Sequence, residues 1–442
     1  MIEPSALAAA LTEYLPKQRW YAGSDAPARV VVERLEVLHD EWPALVWAVV
    51  AADGVPYQLL LGVRVGDDDP PDFLHGHDDA VLGTVPTHAG PGLTYDGTLD
   101  PGLALVLLDC VTKGGEQATL VRPIGAEQSN TSLVFDDRLV LKVFRRLHDG
   151  PNPDVEVTTA LATGGFPHVA EPAAAWERDG RDLAIVQRYL TGSTDGWSLA
   201  LASLRDLFAT GLSPSESGGD FGGEAWRLGE VTARLHLALA NAFGQEHPTP
   251  PGWVKGIADA VRAFGAGGGT GTRQGDERIE RFVDRMEALQ DWGAAIRVHG
   301  DFHLGQALRT DTGWYIVDFE GEPSRPLGER RRLSSPLKDV AGMLRSFHYA
   351  AEVGRSERDA PGDDALVRLG EAWEQRNRRA FLDGYLATSG IDELLPTDVG
   401  GLATVLRSFE LEKAVYEVAY ETDHRPDWVA IPRGAIDRLL SG

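Results

Sequence analysis

The chain has 442 residues, with 42 Lys and Arg against 67 Asp and Glu, a formal net charge of −25. Hydrophobic residues at 43% and charged residues at 25% are the values of a folded protein, and the length suggests two or three domains with real cores. So large an acidic excess argues against a nucleic-acid partner, which needs a basic field to displace counterions, and against an anionic membrane surface.

Residues 1–88 begin with a helical stretch and continue as short apolar runs separated by turn residues. Residues 30–38, 45–51 and 57–63 read as antiparallel strands. Asp53, Gly54 and Pro56 interrupt the most apolar window, 42–63, which excludes it as a membrane span. An acidic loop follows at 66–72. A second strand-rich segment is expected over 103–187, interrupted by a helical stretch at 154–162. The single cysteine, Cys110, allows neither an internal disulfide nor a cysteine-based zinc site, and reads as a free buried thiol. Beyond Leu190 the pattern is helical, with an amphipathic helix over 224–243. Two stretches rich in small residues, 213–219 and 265–271, read as flexible loops between helices. No cationic and apolar leader opens the chain, so a cytoplasmic location is expected.

Two runs carry the chemistry. Val298-His299-Gly300-Asp301-Phe302-His303-Leu304-Gly305-Gln306 is followed by Trp314-Tyr315-Ile316-Val317-Asp318-Phe319-Glu320-Gly321-Glu322. Each aspartate follows a short apolar strand, and the interval suits an excursion that returns the second carboxylate beside the first. Phosphoryl transfer from a nucleotide needs a carboxylate to orient the attacking hydroxyl and oxygen ligands for magnesium on the phosphates. Asp301, Gln306 and Asp318 supply those parts.

A lysine near the phosphates is also required. Lys142 lies in the β-like run 139–144, and Glu156 at the start of the following helix is the carboxylate expected to hold it. Upstream, the turn 125–132, ending at Ser132, could cover phosphates through backbone N–H groups, although an ordinary hairpin turn explains it nearly as well. Neither a Walker A motif nor a Gly-X-Gly-X-X-Gly run is present.

His-Gly-Asp-Phe-His-Leu-Gly-Gln, Asp-Phe-Glu-Gly-Glu-Pro and Ser335-Pro336-Leu337-Lys338-Asp339-Val340-Ala341-Gly342-Met343-Leu344-Arg345-Ser346 resemble the maltokinases of actinobacteria. Lys17-Gln18-Arg19-Trp20-Tyr21-Ala22-Gly23 near the start, and the segments 410–421 and 425–428 near the end, extend the resemblance over the whole chain. It implies an α+β, two-lobed fold like that of aminoglycoside phosphotransferases and protein kinases. The cap subdomain would be 1–88, the small β-rich nucleotide lobe 89–190 and the mostly helical lobe 191–442. It also implies ATP and Mg2+, with Asp301 catalytic, Gln306 and Asp318 as metal ligands, and Lys142 on the phosphates paired with Glu156. The hinge reading the purine edge would be 187–190, including Gln187 and Tyr189. Gln306 departs from the Asn of the protein-kinase pattern, and Glu320 from the Gly of Asp-Phe-Gly.

Lys413, Tyr416, Glu417 and Tyr420 recur at the spacing of one helix face and suit a sugar, with hydrogen-bonding groups for hydroxyls and flat rings for its faces. Spacing alone favours packing residues and a surface pair; the resemblance reverses this in favour of the sugar site. Arg325 and Trp428 are further candidates there, and His303 a loop-ordering or substrate-contact residue. Asp339 is read as either a helix cap or an anchor for the catalytic loop.

The implied activity is phosphorylation of maltose at its anomeric hydroxyl to maltose 1-phosphate, feeding α-glucan synthesis. A glucosamine kinase, an aminoglycoside phosphotransferase and a catalytically inactive kinase-like scaffold are the alternatives. Docking to an enzyme of trehalose or α-glucan metabolism is a further possibility for the cap.

Overall fold

The structure, a computed structural model, describes residues 2–23, 25–66, 71–125, 129–267, 273–322, 325–358 and 364–441. Parts of three predicted loops (67–70, 126–128 and 268–272) lie outside the described residues. The chain divides into two compact units: residues 1–159 with 170–191, and residues 160–169 with 192–442.

In the first unit, helix α1 (Pro4–Tyr14) precedes β1 (Val30–His39), β2 (Ala44–Ala52), β3 (Val55–Val65), β4 (Val81–Thr87) and β5 (Gly90–Asp96). These strands form an antiparallel sheet in the order β1-β2-β3-β5-β4. Asp53 and Gly54, both at positive φ, make the tight turn between β2 and β3, the geometry that matches strand twist. The sheet runs through Asp96, so residue 88, the expected end of the cap, falls in the turn of the β4–β5 hairpin. Strand β2 is apolar throughout because both its faces are buried. Val46, Ala48 and Val50 pack with Leu7, Leu11 and Tyr14 of α1, whereas Leu45, Trp47 and Val49 face a second core.

That second core is built on helix α2 (Pro101–Thr112), and here the structure corrects the sequence reading, which placed strand at 103–111. Asp100 caps the helix by accepting from the N–H groups of Gly102 and Leu103, and Pro101 opens it. Leu103, Leu107 and Val111 repeat at helical spacing along its buried side. Cys110 on this helix is only half-buried. The strands β6 (Val121–Ile124), β7 (Asn130–Phe135), β8 (Leu139–Phe144), β9 (Pro172–Arg178) and β10 (Arg181–Arg188) make a second antiparallel sheet, ordered β6-β7-β8-β10-β9. Helix α3 (Pro153–Thr163) follows β8.

The second unit is mostly helical, with α4 (Gly196–Thr210), α5 (Gly222–Phe243), α6 (Gly252–Ala266), α7 (Arg273–Glu287), α8 (Leu327–Arg330), α9 (Leu337–Ser356), α10 (Asp364–Leu386), α11 (Val399–His424) and α12 (Ala430–Ser441). Short strands β11 (Thr194–Asp195), β12 (Gln245–Glu246), β13 (Ala295–Ile296), β14 (Ala307–Thr310) and β15 (Gly313–Ile316) frame the loops of interest. Helices α5 and α10 cross at two glycines. A Cβ on Gly229 would sit 2.0 Å from the Phe381 carbonyl oxygen, and one on Gly384 would sit 2.0 Å from that of Trp226. Only glycine permits this approach, which sets the position of His236 on α5. Among the described residues, no helix is long and apolar enough to cross a membrane.

Candidate functional site

The loop from His299 to Gln306 is fastened to one face of α9. Asp339 is buried, and its carboxylate accepts from the N–H of His299 at 2.8 Å, the N–H of Gly300 at 2.9 Å and His236 Nε2 at 3.2 Å. Tyr385 O–H lies 2.8 Å from His236 Nδ1, which sets the ring's tautomer. One and two turns further along α9, Gly342 lets the Phe302 carbonyl approach, and Ser346 Oγ accepts from the Leu304 N–H at 3.1 Å. Asp339 is therefore the anchor of the 299–306 loop. Burial raises its pKa, but the hydrogen bond from His236, the charges of His236 and His299 and the Gly300 N–H outweigh this and hold it low. His299 joins this loop to the next, with Nε2 3.0 Å from the Val317 carbonyl and its ring packed between Phe302 and Phe319.

Asp301 projects from this loop to Lys413 on α11, whose Nζ lies 3.1 Å from Asp301 Oδ1 and 2.9 Å from Glu322 Oε1. Arg325 continues the network, with Nε 2.5 Å from Glu322 Oε2 and NH2 3.1 Å from Glu412 Oε1. Burial pushes the Glu322 carboxyl up, yet Lys413, Lys338 and Arg325 together bring it down to about 2. Burial lowers the Lys413 ammonium, and Asp301 and Glu322 more than reverse it, so it stays charged. Asp301, Glu322, Arg325, Glu412, Lys413 and Tyr416 line a cleft of about 370 Å3 that opens to solvent. Asp301, Glu322 and Glu412 there stand against Arg325, Lys338 and Lys413, while Asp339 is buried in the loop anchor.

Gln306 and Asp318 meet across the β14–β15 hairpin, with Gln306 Nε2 donating to Asp318 Oδ2 at 2.8 Å. Asp318 holds a left-handed backbone, φ 69°, a conformation aspartate tolerates better than most residues. Glu320 brings a carboxylate oxygen within 4.8 Å of an Asp318 oxygen. Two carboxylates and an amide are hard oxygen donors of the kind magnesium takes, so these residues fit that ion. In this structure the Gln306 amide nitrogen is the atom turned toward Asp318.

In the first unit, Lys142 on β8 is buried and its Nζ donates to Asp154 Oδ2 at 2.9 Å. Asp154 is itself buried in the first turn of α3. The sequence reading named Glu156 for this role; Glu156 is the half-buried carboxylate two residues further along the helix. Ser132, buried on β7, lies directly across from Lys142 in the ladder. Gln187 pairs with Val140 near the end of β10. Tyr189 donates its N–H to the Arg138 carbonyl at 2.9 Å, and Arg122 lies over its ring.

The sugar-site candidates separate. Tyr416 lines the cleft beneath Lys413, whose Nζ is 5.1 Å from the ring centroid. Tyr420 stacks on Tyr416 but lies one turn out, against His424. Glu417 turns inward to Arg345, at 2.6 Å, and is no part of the cleft lining. Trp428 packs beside Tyr349 and under Arg425. His303 orders the loop: its Nδ1 accepts from the Gly305 N–H at 3.1 Å, which leaves the proton on Nε2, and burial lowers its pKa. Sequence reasoning missed Asp154, His236, Glu322 and Glu412. Only Glu322 carried a signal, as the last acid of the Asp-Phe-Glu-Gly-Glu run.

Residues 14–100 match the maltokinase N-terminal cap domain, and residues 120–382 match the phosphotransferase enzyme family. The chain is 32% identical over 354 residues to a glucosamine kinase of Streptacidiphilus jiangxiensis, covering 76% of this chain and 77% of the relative. It is 28% identical over 333 residues to a glucosamine kinase of Mycolicibacterium smegmatis, covering 72% and 79%. A solved glucosamine kinase in complex with glucosamine, ADP and inorganic phosphate shares the fold, with a TM-score of 0.67 at 24% identity over 97% of this chain and 99% of that one. The chain has a kinase-like α+β fold with a β-rich N-terminal cap, and it belongs to the phosphotransferase enzyme family.

Proposed function

We propose that the protein transfers the γ-phosphoryl group of ATP to a hydroxyl of a small sugar. The observation that carries this reading is Asp301, held on an anchored loop and facing a solvent-open cleft that Lys413, Glu322 and Tyr416 line. Asp301 orients the acceptor hydroxyl and takes its proton late in the transfer. Lys142, aimed by Asp154, offsets phosphate charge. Magnesium, held by Asp318 and Gln306 with Glu320 nearby, would neutralise charge on the transferring phosphate.

Glucosamine is the acceptor we place first. The two glucosamine kinases among the relatives support it, and Asp301, Glu322 and Glu412 offer carboxylates to an ammonium. Maltose, first by sequence resemblance, remains the second reading, favoured by the maltokinase-type cap and by the ammonium of Lys413 already seated between Asp301 and Glu322. The deciding experiment is ADP release from MgATP with glucosamine, maltose, glucose and an aminoglycoside offered separately, with the product's phosphate located by NMR. Saturable turnover with one sugar establishes the activity and names the acceptor. Binding of MgATP without turnover on any of them overturns the sugar-kinase reading.

A further inference from the structure

One side chain of the N-terminal sheet grips the strand that carries Lys142. Gln58 on β3 is fully buried. Its Oε1 accepts from the Trp47 indole N–H at 3.1 Å, and its Nε2 donates to the carbonyls of Phe144 and Leu183 at 2.6 and 2.5 Å. Phe144 ends β8 and Leu183 lies on β10, so the amide closes the end of that strand pair. The backbone docks beside it. Gln58 N–H donates to the Arg145 carbonyl at 2.8 Å, and Leu147 N–H to that of Pro56 at 2.9 Å. The chain leaving β8 thereby forms an isolated antiparallel bridge to β3, Arg146 against Tyr57.

Phe144 shares a face of β8 with Lys142, because side chains alternate along a strand. Its ring centroid lies 5.8 Å from Lys142 Nζ, and the ring packs with Val155 of α3 and Ile185 of β10. Val155 directly follows Asp154. The ring is therefore the floor on which the Lys142–Asp154 pair rests. We infer that Gln58 is a positioning residue for Lys142: by fixing Phe144, it sets how the ammonium meets Asp154 and is presented to a nucleotide. The N-terminal sheet then tunes nucleotide affinity, in addition to adding stability. This rests on the assignment of Lys142 to the nucleotide phosphates. Glutamine suits the place because one amide offers two donors and an acceptor, and an apolar replacement leaves two buried carbonyls unpaired.

The test compares Gln58→Met, which keeps the length and removes the polar contacts, with Trp47→Phe, which removes the indole donor and leaves both carbonyl bonds. MgATP affinity is measured by calorimetry, and the KM for the acceptor separately. In Gln58→Met the Kd for MgATP rises about tenfold while the acceptor KM moves less than about twofold; in Trp47→Phe the Kd stays within about twofold even where the melting temperature falls. Acylation of the Lys142 amine, followed by mass spectrometry without nucleotide, rises in Gln58→Met alone. Unchanged affinity and labelling in Gln58→Met, or equal changes in both variants, overturns the inference. A wild-type protein that binds no MgATP overturns the proposed function instead, and the labelling still judges the clasp. If Gln58→Met does not fold, Phe144→Leu trims the ring beneath Lys142 and carries the same test, with the same overturning result.

Discussion

Lys413 Nζ lies 3.1 Å from Asp301 Oδ1, although the two residues are 112 positions apart. The same ammonium is 2.9 Å from Glu322. One cation on α11 thus joins the catalytic loop to the loop that follows Asp318. Burying an ammonium is costly, and two carboxylates offset the cost only while both partners remain.

Asp301→Asn keeps the shape of the side chain and removes the carboxylate that orients the hydroxyl. Turnover is expected to fall by about a thousandfold or more. The circular dichroism spectrum and melting temperature should stay near wild type. Substantial turnover by this variant would remove Asp301 from its assigned role.

Lys413→Met leaves Glu322 buried with only Arg325 of its two cationic partners and the cleft more acidic. A loss of about 2–3 kcal/mol in stability is expected, read from denaturant unfolding. The ratio of kcat/KM for glucosamine to that for maltose should rise. Equal loss on both sugars would make Lys413 a structural residue only.

Asp339→Asn replaces a carboxylate that two N–H groups and His236 address. The catalytic loop loses its fixed geometry, and kcat should drop about a hundredfold with a smaller change in KM. Hydrogen exchange at His299 and Gly300 should quicken in the same variant.

Gly384→Ala puts a methyl group 2.0 Å from a backbone oxygen where α10 crosses α5. The helices must separate, at a cost of about 3 kcal/mol or more, and activity should fall through the displaced His236. Gly434→Ala on α12, exposed and with nothing within 4 Å, should instead stabilise by about 0.5–1 kcal/mol. Calorimetric melting temperatures would show the opposite signs.

Acid sensitivity follows from Glu322. Its folded pKa of about 2 lies below its ordinary value of 4.5, so its stabilisation is present above 4.5 and is lost as pH falls towards 2. The loss amounts to about 3 kcal/mol across that window. Unfolding free energies measured from pH 5 down to 2 should decline less steeply in Glu322→Gln than in wild type.

Local chemistry accounts for what was legible in advance. Asp53-Gly54 announced the β2–β3 turn, and apolar spacing announced α5, because both signals lie within a few neighbouring residues. The interval between Asp301 and Asp318 likewise announced the hairpin-like excursion that β14 and β15 form. Helix α2 was misread as strand because its apolar run outweighed the Asp100-Pro101 start signal, although the spacing of Leu103, Leu107 and Val111 was present throughout.

The sequence by itself determined the chemical parts: Asp301, Gln306, Asp318, Lys142, and the loop and strand positions on which they stand. Tertiary structure alone decided their partners. Asp154 takes the bond to Lys142 because of how α3 packs against β8. Asp339 anchors the catalytic loop because α9 lies beneath it and α5 delivers His236. Lys413 reaches Asp301 because α11 returns to a loop far earlier in the chain. Hydrogen bonds and ion pairs act over a few ångströms of space, and separation along the chain does not specify that distance once the helices have packed.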